Sequence, residues 1–180
     1  MKKLCKSPSD MDLNLLKDLS SKGDLHARFH LALHYYYSDD ETQDFEEAAR
    51  LFKELAEGGN SDAQYLLGEM YEYGFGVEQD ISEAVKLYIL SAEAGNPSGQ
   101  SALGNSYDST VGSPEGTAYG GIIKNNREAY FWYLLALQSN PDEPLLSFLN
   151  EAIKRLSLIL TKDETSEIKE RVSARRCLEK

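Results

Sequence analysis

Three histidines, His26, His30 and His34, step by four residues along one stretch of chain. That spacing sets neighbouring rings on one face of a helix, where a pair can chelate a metal. No carboxylate or cysteine completes a site nearby in sequence, and pairs without further ligands are usually incidental. The positions 36 residues on, Leu66 and Met70, are packing types, so no metal is expected. Gly74-x-Gly76 has the glycine spacing of a phosphate loop, but it follows a helical pattern where a dinucleotide fingerprint must follow a strand. Carboxylates are dense between Asp39 and Glu83, yet on exposed helix faces nothing raises one pKa for general acid work. No Ser-His-Asp or Cys-His arrangement is readable. Cys5 and Cys177 stand at opposite ends of the sequence, outside any CxxC pattern, as free thiols of a reducing compartment would. These residues predict a protein that is not an enzyme, with no catalytic residue, cofactor or metal.

The elements that carry them repeat. Gly23, Gly59 and Gly95 are 36 residues apart, as are Leu31, Leu67 and Leu103, and Tyr35, Tyr71 and Tyr107. Ala32, Gly68 and Gly104 share a register, and Asp44, Ala48 and Phe52 return as Asp80, Ala84 and Tyr88. A fixed period of this size belongs to stacked helical hairpins, which present a surface and seldom carry chemistry. In the second unit the first helix is predicted over about Ser61 to Tyr73, with Asn60 as N-cap. Ala63, Leu67, Gly68 and Tyr71 share its inward face, and Gly68 is small where the facing helix comes close. Gly74 ends it in a left-handed conformation, and the second helix starts near Asp80 or Ser82 and stops at Gly95.

The chain has 180 residues, one domain's worth, with 41% hydrophobic and 27% charged residues and a net charge of -11. From Asp39 to Glu83 there are fourteen acids and two bases, a net of -12, while 16 acids and 17 bases elsewhere nearly cancel. This balance disfavours nucleic acid and anionic membranes and suits either a solvated face or a docking surface for a basic partner. Met1 to Pro8 has positive residues but no apolar run behind them, and no stretch approaches a membrane span. A cytoplasmic location is expected.

The run Ala63-Gln64-Tyr65-Leu66-Leu67-Gly68-Glu69-Met70-Tyr71, followed by Gly74-Phe75-Gly76-Val77, Asp80, Ala84 and Tyr88, resembles the SLR (Sel-one-like repeat) family, relatives of the tetratricopeptide repeats. The resemblance covers about residues 23 to 140. The first unit departs from it with Ser38-Asp39-Asp40 in place of the glycine turn, and the third returns late at Gly121-Ile122, then matches at Trp132-Tyr133. It implies an all-α, right-handed α/α superhelical solenoid with a protein-interaction role. The whole chain, 1–180, reads as a single solenoid with repeats at about 23–58, 59–94 and 95–140 and caps at about 10–22 and 144–178. Pro144 opens an amphipathic run in the second cap, and Thr161-x-x-Glu164 reads as a capping box.

The third unit carries nine extra residues at about 108–121, rich in Gly, Ser and Thr, which reads as a surface loop with Val111 and Tyr119 as apolar anchors. The SLR resemblance also assigns an inner wall to the first helix of each unit. By register that wall is His26, Phe29, Leu33, Tyr36 and Tyr37, then Asp62, Tyr65, Glu69, Glu72 and Tyr73, then Ser98, Ser101, Asn105, Asp108 and Ser109. Tyrosines beside carboxylates suit a basic protein: the rings give area and cation–π contacts, the acids give steering. Phe29, Leu33, Tyr36, Tyr37, Asp62, Tyr65, Glu69, Glu72 and Tyr73 are the expected partner-binding residues. The expected function is non-catalytic protein binding, as a cytoplasmic immunity protein that neutralises a basic bacterial toxin. The alternative is a general adaptor in signalling or stress response, and a hydrolase comes third. Secreted SLR relatives rich in cysteine carry disulfides within each repeat, a pattern this chain lacks.

Overall fold

The computed structural model describes residues 13–111 and 118–178, the last three of these by backbone alone. Cys5, the side chain of Cys177, the first residues of the N-terminal cap and the middle of the insertion lie outside the described residues. Helix α1 (Leu13–Ser21) leads into a series of hairpins. The first helices are α2 (Leu25–Tyr37), α4 (Ser61–Tyr73) and α6 (Pro97–Tyr107), and the second helices are α3 (Phe45–Glu57), α5 (Ile81–Glu93) and α7 (Asn126–Gln138). Each start is fixed by the same chemistry. Asp24, Asn60 and Asn96 stand one period apart, and each side-chain oxygen accepts backbone N–H groups of the first turn. Asp44, Asp80 and Asn125 do the same for the second helices. Each hairpin also closes with one backbone bond to the equivalent tyrosine carbonyl: Asp44 N–H to Tyr35, Asp80 to Tyr71 and Asn125 to Tyr107, the last at 2.7 Å.

Packing within a hairpin depends on glycine. A Cβ on Gly68 would stand 2.6 Å from Cε1 of Tyr88, and one on Gly104 would stand 2.5 Å from Cε1 of Tyr133. The two tyrosine rings lie flat in the space a larger residue would fill, and both are buried. Gly74 ends α4 at φ 74°, the left-handed conformation that glycine adopts without strain. Two apolar cores follow along the array. The first joins Leu16, Leu31, Phe52, Leu55, Leu67 and Met70 across α1 to α4. The second joins Tyr88, Leu103, Phe131, Tyr133, Leu149 and Val172, which come from α5 onward.

Beyond α7 come α8 (Glu143–Ser157) and α9 (Lys162–Leu178). Asp142 caps α8, with Pro144 in its first turn. The Thr161–Glu164 box forms in both directions: Thr161 N–H donates to Glu164 Oε2 at 2.9 Å, and Glu164 N–H donates to Thr161 Oγ1 at 3.3 Å. Ile168 and Val172 of α9 complete the second core. Helices α1 to α8 pack in order along the chain, α4 also touches α6, and α9 returns to pack on α7. The first-helix side therefore forms the inside of an all-α solenoid.

The described end of the insertion runs into a short hairpin. Strands β1 (Ala118–Tyr119) and β2 (Ile122–Ile123) pair antiparallel, Tyr119 opposite Ile122. The two residues between them, Gly120 and Gly121, have φ 56° and 88°, the tight hairpin turn that glycine pairs favour. A Cβ on Gly120 would meet Val85 and the Ile81 carbonyl at 2.5 and 2.6 Å, so the turn sits directly on α5. Ile122 is buried in the second core.

Candidate functional site

The inside of the curve holds a cavity of about 610 Å³. Its walls come from Tyr65, Glu69, Glu72 and Tyr73 on α4, and from Ser98, Ser101 and Asn105 on α6. Leu145 and Phe148 of α8 line it too, as do Tyr119 of the insertion and Lys124 just after β2. The wall follows from helix periodicity. Tyr65, Glu69, Glu72 and Tyr73 recur at steps of three and four, on the face opposite to Ala63, Leu67 and Met70, which fill the core.

The carboxylates of this wall meet neutral donors. Glu69 Oε1 accepts the Tyr65 hydroxyl at 2.6 Å. Glu72 Oε2 accepts the Tyr88 hydroxyl at 2.5 Å, and its Oε1 accepts the hydroxyl of Tyr119. Asp62 accepts from the Asn96 amide at 2.6 Å. Burial raises the Glu69 pKa, with the Glu72 charge adding to it and the Tyr65 bond partly offsetting it. Burial together with the hydrogen bond to each carboxylate pushes the Tyr65 and Tyr88 phenols well above their usual range. They are donors at every physiological pH. Several outward acids meet cations instead: Glu47 and Glu54 pair with Arg50, Glu83 with Lys86, Glu128 with Arg171, and Glu164 and Glu167 with Arg127. Among the described residues no cation lies within ion-pair distance of Asp62, Glu69 or Glu72.

Lys124 is the basic residue of the wall, and it is 4% exposed. Its ammonium donates to the Asn105 and Val111 carbonyls at 3.0 and 3.2 Å and lies 5.0 Å from the Tyr119 ring centroid. Burial lowers its pKa against the pull of Asp108 and Glu72. It fastens the insertion to the end of α6. Asp108 lies beside it, with its side chain fully buried. That carboxylate accepts from Arg155 Nη2 at 2.7 Å, Thr110 N–H at 2.8 Å, Thr110 Oγ1 at 2.6 Å and the Tyr133 hydroxyl at 3.2 Å. Asp108 therefore does not face the groove, as the register suggested. The chain leaves α6 there, and the insertion folds over the side chain.

Of the expected residues, Tyr65, Glu69, Glu72 and Tyr73 come together around the cavity, and Asp62 is exposed beside it. Phe29, Leu33 and Tyr36 are half-buried and lean on the first core, Phe29 edge-on to Phe52 with centroids 5.9 Å apart. Tyr37 stands out at 66% exposure. Glu72 is an internal acceptor as well as a wall residue, since two hydroxyls from other elements close on it. The histidines do not act as one group: the rings of His26 and His30 lie 4.4 Å apart and tilted by 55°, while His34 Nε2 lies 3.0 Å from Thr42 Oγ1. Burial and the neighbouring His26 lower the His30 pKa. Sequence reasoning missed Tyr88 and Tyr119 as the partners of Glu72, and Lys124 and the α8 wall altogether. Tyr88 was legible only as a packing residue, because the ring fills the space over Gly68 while the hydroxyl passes through to the groove. No helix among the described residues is long and apolar enough to cross a membrane.

The family model of the Sel1 repeat matches residues 25–60, 61–96 and 115–141. No curated protein sequence matches. Among solved structures, a Sel1 repeat protein from Oxalobacter formigenes is 33% identical, covering 78% of this chain and 98% of its own, with a TM-score of 0.58. A protective antigen of uropathogenic Escherichia coli displaying an SLR fold is 22% identical with a TM-score of 0.70. The match covers 89% of this chain and 31% of that one, so this chain spans about a third of the antigen's length. Cysteine-rich protein B of Helicobacter pylori is 15% identical with a TM-score of 0.55, covering 78% of this chain and 98% of its own. The last two likenesses are of fold.

Proposed function

From a chain that belongs to the Sel1 repeat family, we infer a protein-binding module whose inner groove receives a basic segment of another protein. Sel1 repeat proteins are generally protein-interaction modules. The observation that carries the finer reading is the donor set of the wall acids. Asp62, Glu69 and Glu72 on the groove side have only neutral donors among the described residues, beside exposed tyrosines, whereas Glu47, Glu83 and Glu128 on other faces pair with arginine or lysine. A basic chain laid along the groove supplies the missing positive charge, and the tyrosines supply contact area. A bacterial toxin with a basic active surface, held inactive by this acidic wall, fits that complementarity; an immunity role in the cytoplasm is the specific form proposed. An adaptor that gathers basic signalling proteins would use the same groove.

The test is capture from the native host with the wild-type protein and with Glu69→Lys. Wild type should retain a basic protein in 50 mM salt and lose it as salt rises. Glu69→Lys should retain little of it while keeping a native melt. Equal retention of the same protein by both would overturn the groove as the binding face.

A further inference from the structure

Tyr37 and Tyr73 occupy one repeat position on adjacent first helices, and Leu33 and Glu69 occupy another, one turn earlier. Repetition thus puts a tyrosine at the C-terminal end of α2 and another at that of α4, with Glu69 one turn before Tyr73 on α4 and both of these lining the cavity. Tyr37 and Tyr73 are 66% and 59% exposed. The rings behind hold them in place. Tyr37 stands edge-on to Tyr36 at 4.8 Å, Tyr73 lies 5.7 Å from Phe75, and Phe75 stacks on Phe45 at 5.2 Å. Tyr65 donates to one Glu69 oxygen, and the other has no hydrogen-bond partner among the described residues. The hydroxyls of Tyr36, Tyr37 and Tyr73 also have none. The charge of Glu69 reaches them all: after burial it helps push Tyr36 up to about 12 and raise Tyr37, and after Glu72 and burial it helps raise Tyr73.

We propose that this exposed aromatic cluster is the anchor point of the groove and takes one arginine side chain of the partner, with Glu69 as the acceptor and Tyr73 and Tyr37 as the stacking faces. The proposal rests on the groove being the binding face. An apolar occupant would cover the tyrosines and bury the second Glu69 oxygen unpaired, which is costly. An arginine satisfies both demands, because its guanidinium is planar, stacks on aromatic faces and offers a fork of N–H donors to a carboxylate. Lysine fills the charge requirement but not the stacking one.

The probe is N-acetyl-tetra-arginine amide, titrated into isotope-labelled protein and followed by NMR, beside its tetralysine and tetracitrulline counterparts. Citrulline keeps the shape of arginine without the charge. The arginine peptide should shift Tyr37, Glu69 and Tyr73, bind more tightly than lysine, and leave citrulline unbound. Glu69→Gln keeps an acceptor for Tyr65 and removes the charge; it should weaken binding roughly tenfold, and Tyr73→Ala about fivefold. Glu83→Gln, on α5 and paired with Lys86, should bind like wild type. A second readout separates binding from architecture. Because burial raises the Glu69 pKa, its charge opposes folding at neutral pH, so Glu69→Gln should melt at the same temperature or higher while binding worse. Equal binding of citrulline or lysine, or unchanged affinity in Glu69→Gln, would overturn the anchor. If the arginine peptide then shifts Ser98, Ser101 and Asn105 instead, the groove reading stands without it. If no groove residue shifts with any peptide, both fail.

Discussion

Replacing Asp108 by alanine should destabilise the protein by about 3 kcal/mol. The carboxylate is fully buried and accepts four hydrogen bonds, two from Thr110, one from Arg155 and one from Tyr133. The two bonds of Thr110 and the one of Arg155 all go to an ionised carboxylate, and each is worth about 1.5 kcal/mol net. The loss is then reduced, because the Arg155 side chain is 39% exposed and can rehydrate, and because Tyr133 keeps its 2.6 Å bond to Asn105. For a chain of this length about 3 kcal/mol corresponds to a fall of roughly 6–12 °C in Tm. The assay is a thermal melt followed by circular dichroism, on wild type, Asp108→Ala and Asp108→Asn. Asparagine should lose about half as much, since it still accepts from Thr110. The pH dependence gives an independent check. Burial alone would raise the Asp108 pKa, but the Thr110 hydroxyl, Arg155 and the Thr110 N–H together hold it below the usual carboxylate range. Its folded pKa is depressed, so its stabilisation is complete above the unfolded value near ~4 and is lost as pH falls through the folded value. The gap between wild type and Asp108→Asn should therefore close in acid. A Tm for Asp108→Ala within one degree of wild type, or a gap that widens as pH falls, would refute the reasoning.

Gly68→Leu should cost roughly 2–4 kcal/mol, because even a Cβ there meets the Tyr88 ring at 2.6 Å; a wild-type melt would reject the packing of α4 on α5. Tyr119→Phe should cost about 1 kcal/mol and speed amide exchange at Ile122. It removes the hydroxyl that joins the insertion to Glu72 while leaving the hairpin turn on α5. Exchange as slow as in wild type would show that Glu72 does not hold the insertion.

The repeat made most of the fold legible. A period of 36 placed every first helix, the capping residue Asn60 was visible as a type that accepts N–H groups, and Gly74 and the Thr161–Glu164 box behave as their chemistry requires. What the repeat could not show is what interrupts it. Two partners of Asp108 have no equivalent in the other units, because Arg155 comes from a helix outside the three repeats and Thr110 from the inserted segment. Its register therefore pointed to the groove while its chemistry led inward. The insertion's composition read as loop, yet Gly120-Gly121 between Tyr119 and Ile122 is the signal of a tight hairpin. Glu72 sat on the expected wall, but the two hydroxyls that close on it come from 16 and 47 residues away, and no local pattern connects them.

The claim that the groove side of α4 meets a basic partner is tested most directly by photo-crosslinking in the native host. A photoreactive side chain is placed at Tyr73, in the groove wall, and in a second strain at Lys86, on the exposed face of α5. The account predicts crosslinks from position 73 to a lysine- and arginine-rich segment of one protein, lost on adding Glu69→Lys, and none to that protein from position 86. Crosslinks to that protein from position 86 with none from 73 would contradict it.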